Sequence, residues 1–133
     1  MGDPTTSESR PQAHIEDAIR ILEEFSASAQ LRFDRIVASR GLSEAERAIP
    51  GEGAVTWARR MVEVGESLDL RVQSLRCTLR DALAFVRQGT PVATAIEQPD
   101  GSLRWLLIGE VRRGRARVSD GRGGAAGQWV PFH

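Results

Sequence analysis

Apolar residues recur every three or four positions along Ile15, Ala18, Ile19, Leu22 and Phe25, and Ala29, Phe33, Ile36 and Val37 continue the stripe. A repeat near 3.6 residues gathers such positions on one side of a helix, so an amphipathic helix is predicted from Ile15 onward. The run "SASA" at 26–29 lowers helix propensity and is expected to bend or split it. Gly41 is placed to end it as a left-handed cap. Ser43 and Glu46 then form an S-x-x-E capping box for a short helix that must stop before Pro50. Beyond the "PGEG" loop, Ala54, Ala58, Met61, Val62, Gly65 and Leu68 predict another helix. Gly65 there implies close approach to a neighbour, at a cost of about 1 kcal/mol against alanine.

The period then changes. In "LDLRVQSL" the residues Leu68, Leu70 and Val72 alternate, which predicts a strand. Thr78 and Asp81 form a capping box for a helix with Leu79, Ala82, Leu83 and Val86 as its buried face, ended by Gly89 and Pro91. After Pro91 the pattern is that of a β-meander: "PVATAI", a Pro99-Asp100-Gly101 turn, "LRWLLIGEV", a turn at Arg113-Gly114, "RARVS", and a last short strand "QWV". Helices first and strands after predict an α+β fold. Residues 1–12, rich in Pro, Ser and Thr, are expected to be a disordered lead-in, and 13–133 a single domain.

Composition narrows the possible functions. A chain of 133 residues buries roughly two thirds of its extended surface on folding, enough for one core. No apolar run approaches the ~20 residues that a membrane helix requires, and the polar N-terminus lacks the apolar centre of a secretory signal. Cys77 is the one cysteine, so an internal disulfide and a cysteine-based zinc cage are excluded. All 18 basic residues are arginine, which rules out a phosphate loop of the G-x-x-x-x-G-K-[ST] type. Residues 1–70 hold 8 arginines against 13 acids, and residues 71–133 hold 10 against 5, so a neutral chain is charged oppositely in its two halves. That asymmetry predicts a dipolar surface, or an acidic partner for the second half.

Little of this points to catalysis. A nucleophilic cysteine needs a neighbouring base, and His14 and His133, the two histidines, sit in terminal segments. Cys77 is therefore expected to be a small buried apolar group. A serine triad lacks the same histidine. Glu23, Glu24 and Asp34 read as a wet helix face, so no metal and no cofactor are expected. Arg112, Arg113, Arg115, Arg117 and Arg122 form the densest basic cluster. Trp105 and Trp129 flank this cluster in sequence without entering it, so nucleic acid is not an expected partner.

The stretch 53–121 carries a helix ending in "G-x-x-L-x-L-R-V", an extended segment, the capped helix "TLRDAL", the strand "TPVATAI", a strand of aromatic and aliphatic residues, and a strand ending in Asp. This run of features resembles the bacteriocin-processing peptidase domain of bacterial ABC exporters, which cuts leader peptides after a double glycine. The resemblance implies a papain-like cysteine-peptidase-like fold and covers about residues 50–121. Active members place a histidine base where this chain has Arg104, followed by Trp105, and an orienting Asp where it has Asp120. Their nucleophilic cysteine opens the first helix, and here no cysteine precedes Cys77. An arginine stays protonated in proteins and cannot accept a thiol proton.

The family includes members without proteolytic activity that bind or regulate the exported substrate. By that resemblance the chain is expected to be a non-catalytic accessory domain, with Arg104, Trp105 and Asp120 beside a groove for an extended peptide. Its expected partners are the transmembrane and ATPase parts of an exporter, of which it would be a fragment or companion. Its expected place is the cytoplasm, tethered to the inner membrane through the transporter. The alternative is a stand-alone interaction or regulatory module unrelated to export.

Overall fold

A computed structural model describes residues 4–120 and 128–132, with side chains over 15–119 and 128–132. Helices α1 (Pro4–Ser28), α2 (Arg35–Ala48), α3 (Ala54–Ser67) and α4 (Leu79–Arg87) precede strands β1 (Val92–Glu97), β2 (Leu103–Arg112), β3 (Arg115–Asp120) and β4 (Gln128–Pro131). The strands form one sheet in the order β1-β2-β3-β4, with each neighbouring pair antiparallel. The fold is α+β, as the change of period predicts.

Several helix boundaries differ from the sequence pattern. The backbone is helical from Pro4, so most of the segment expected as a lead-in belongs to α1; a proline's fixed φ suits a first helical turn. The "SASA" run ends that helix. Leu31 N–H donates to Ser26 O at 2.9 Å and Gln30 N–H to Ala27 O at 3.1 Å, with Gln30 at φ 58°, a Schellman cap. Asp34 then starts α2, its carboxylate accepting from the N–H groups of Ile36 and Val37 at 3.0 and 3.2 Å.

Gly41 does not end a helix, and Ser43 does not start one. Both lie inside α2, where a Cβ on Gly41 would stand 3.2 Å from Val64 Cγ1. The glycine permits close packing of α2 on α3. The guanidinium of Arg60, itself buried, ties the connection between these helices by donating to Ile49 O and Gly51 O at 3.0 Å each. It also lies 4.9 Å from the centre of the Trp57 ring.

The strand expected at 68–75 is absent. Leu70 N–H donates to Gly65 O at 2.8 Å and Asp69 N–H to Glu66 O at 3.3 Å, so the α3 end is a second Schellman cap with Asp69 at φ 58°. Leu70 is buried and Val72 packs beside it on the core. The alternation reports burial of every second side chain in an extended segment that pairs with no strand. Gly65 is a point of close approach, as expected, but the neighbour is this following segment: a Cβ there would lie 2.6 Å from Val72 Cγ2. For α4, Asp81 N–H donates to Thr78 Oγ1 at 3.2 Å, and Ala82, Leu83 and Val86 are buried as predicted. Leu79, on the same face but in the first turn of α4, is exposed.

Two turns fix the register of the sheet. In the β1–β2 turn, Gly101 at φ 85° donates to Gln98 O, and the Asp100 carboxylate accepts from Ser102 N–H at 2.9 Å. In the β2–β3 turn, Arg113 at φ 46° and Gly114 at φ 74° give the left-handed pair that a two-residue hairpin demands. Between them the register shifts between Ile108 and Glu110, a bulge at Gly109. Ahead of the bulge Leu103, Trp105 and Leu107 share one face, and they pack on α1–α3. Beyond it the alternation inverts, so Ile108 and Val111 share the other face, where Leu83 and Val86 of α4 cover them. Among the described residues the sheet is thus covered on opposite faces at opposite ends, and each face keeps one half that no helix covers.

Candidate functional site

Arg104 and Trp105 are neighbours on β2 and therefore face opposite ways. Trp105 is 4% exposed and belongs to the core with Ile19, Leu22 and Met61, so it is not an open groove wall. Its indole Nε1 is buried without a hydrogen-bond partner among the described residues. Arg104 is exposed on the other face, away from α1–α3. Leu103 and Trp105 are the residues at the start of β2 that meet the helical layer. Among the described residues, then, the start of β2 presents no proton acceptor toward the helical layer.

Arg104 is one of a strip. It pairs in register with Ile96, and Leu106 with Thr94. These four residues occupy the half of the sheet face that α4 leaves bare, with Thr94, Ile96 and Arg104 exposed and Leu106 half-buried. The Cα of Asp120 stands opposite Leu106, two residues along from Arg104, and its side chain lies outside the described residues. The sequence pattern alone does not single out Ile96 and Leu106. Their place follows from the register of the β1–β2 hairpin, which the tight Pro99-Asp100-Gly101 turn sets. On the opposite face, Glu97 Oε1 accepts from Ala54 N–H at 2.9 Å, so the end of β1 caps the start of α3.

Cys77 is exposed, contrary to the burial expected of it, because the segment before α4 pairs with no strand that would cover it. The side chain of His14 and all of His133 lie outside the described residues. Among the described residues no cluster of three His, Cys, Asp or Glu could hold a metal ion, and no helix is long and apolar enough to cross a membrane.

The arginine cluster occupies the other bare half. Arg112 and Arg115 are directly opposite each other, and Arg117 is opposite Glu110 on one side and Trp129 on the other. Glu110 pairs with Arg112 at 2.5 Å and reaches Arg117 at 3.8 Å. Arg112, Arg113, Arg115 and Trp129 line a shallow open depression. The tryptophan that flanks the cluster in sequence is brought into it by β4; Arg122 lies outside the described residues.

No family model, curated protein or solved structure matches this chain.

Proposed function

We propose that this chain is a non-catalytic, peptidase-like accessory domain that binds the transported peptide of an ABC-type exporter or regulates its transport. The order of helices followed by an antiparallel sheet agrees with a papain-like core. The chemistry agrees with loss of catalysis. A guanidinium takes up no proton, the one thiol stands on the segment before α4, and the start of β2 meets the helices through Leu103 and Trp105.

The observation that carries the reading is the strip of Thr94, Ile96, Arg104 and Leu106. A cation set among aliphatic side chains on an open sheet face suits an extended peptide with apolar residues and a carboxylate. Trp105 serves such docking only from beneath, by holding β2 on the core. The membrane-spanning and ATPase parts of the exporter would be its partners, and the cytoplasmic side of the inner membrane its place.

Titration with double-glycine leader peptides by calorimetry tests this, with mass spectrometry of the peptide afterwards. Saturable binding of an intact peptide is expected, weakened about tenfold or more in Arg104→Glu. Cleavage of the peptide, or no binding by any leader, overturns the proposal. Binding of a soluble partner at the same strip with leaders ignored would instead favour the stand-alone module.

A further inference from the structure

The arginine-rich hairpin end carries a separate implication. Arg112 and Arg115 are cross-strand partners of like charge, an arrangement that by itself destabilises a hairpin. With Arg113 and Arg117 they make four guanidiniums against one carboxylate among the described residues, that of Glu110. Among the described residues Arg113 and Arg115 have no carboxylate partner. An anionic surface laid on this end would relieve the repulsion that the fold leaves in place. Alongside, on the same face, stands one apolar side chain of the edge strand, Trp129 at 40% exposure, whereas Val130 faces the other way with Ala116.

We propose that the β2–β3 turn and β4 form a contact for an anionic lipid bilayer, with the arginines on the headgroups and Trp129 at the interfacial level. Shape favours this occupant over others. The depression is shallow and its cations are spread around a turn, so they match a planar array of charges better than one phosphate. A single-stranded nucleic acid would want successive aromatic platforms, and Trp129 is alone among these arginines. Tryptophan and arginine together suit a membrane–water boundary, where an indole sits at headgroup depth and each cation adds to the attraction. This contact uses residues different from those of the Arg104 strip, so neither proposal depends on the other.

The whole chain is to be sedimented with phosphatidylcholine vesicles, with and without phosphatidylglycerol, some carrying brominated acyl chains. Trp57 and Trp105 are each 4% exposed, so contact quenching by bromine reports Trp129. Binding to anionic vesicles alone is expected, with quenched emission and loss of binding at about 1 M salt, where the Debye length falls to ~3 Å. Arg113→Glu/Arg115→Glu should weaken binding by at least about tenfold, with circular dichroism confirming the fold and Arg113→Gln/Arg115→Gln as the milder pair. Equal binding to neutral vesicles, no binding, unchanged binding by the arginine variants, or capture of a single-stranded oligonucleotide with vesicles ignored would each overturn the proposal.

Discussion

Gly65 shows how one missing Cβ organises its surroundings. Helix propensity alone favours Gly65→Ala by about 1 kcal/mol. The added methyl, however, would lie 2.6 Å from Val72 Cγ2 and 3.2 Å from Leu70 O. Overpacking of that kind costs about 1–3 kcal/mol, so Gly65→Ala should be net destabilising in urea melts, with part of the loss recovered when Val72→Ala is added. A stabilised Gly65→Ala would mean that the segment after α3 does not rest on the helix. Trp105 poses the converse problem, a large side chain with one unsatisfied atom. Trp105→Ala should cost about 3–5 kcal/mol as a core cavity. Trp105→Phe keeps a ring and removes the orphan N–H, and should cost less than about 2 kcal/mol. Equal losses in the two variants would reveal a partner for the indole nitrogen.

Among the elements, the α2–α3 connection depends on a single buried cation. Arg60 donates to two backbone carbonyls and stacks on Trp57. Arg60→Ala is expected to lose about 2–4 kcal/mol in the same melts, and Arg60→Lys to recover little, since an ammonium lacks the fork that reaches both carbonyls. A loss below about 0.5 kcal/mol, the level of an ordinary surface change, would contradict that role. The element boundaries also show what the pattern of residues conveys and where it stops. The α4 end was legible because Gly89 occupies the left-handed cap position. Two further caps of the same geometry place Gln30 and Asp69 there, and neither residue advertises it. Gly41 advertised a cap and supplies helix contact, because a glycine reads alike for backbone freedom and for close packing. Both tight turns of the meander were legible from Pro99-Asp100-Gly101 and Arg113-Gly114. The bulge at Gly109 was not, and it decides which residues share a face.

At the scale of the whole molecule, that bulge sets which residues of the sheet share each face. Helices α1–α3 cover one face toward the β1–β2 turn, and α4 covers the other face near the β2–β3 turn. Among the described residues, what the helices leave uncovered is the strip around Arg104 and the arginine cluster around Trp129. Of the three residues the sequence nominated for a groove, Arg104 lies on the first surface, Trp105 beneath it, and Asp120 is known by register alone. Residue identity alone raised the expectation of a non-catalytic site, while burial and face required the strand register. The account's central claim is that the Arg104 strip receives an extended peptide without cutting it. The most direct measurement is amide chemical-shift mapping of the labelled chain during titration with a double-glycine leader. Saturating shifts confined to Thr94, Ile96, Arg104, Leu106 and their neighbours, with the peptide intact throughout, are predicted. Shifts that spare this strip, or the appearance of cleaved peptide, would contradict the account.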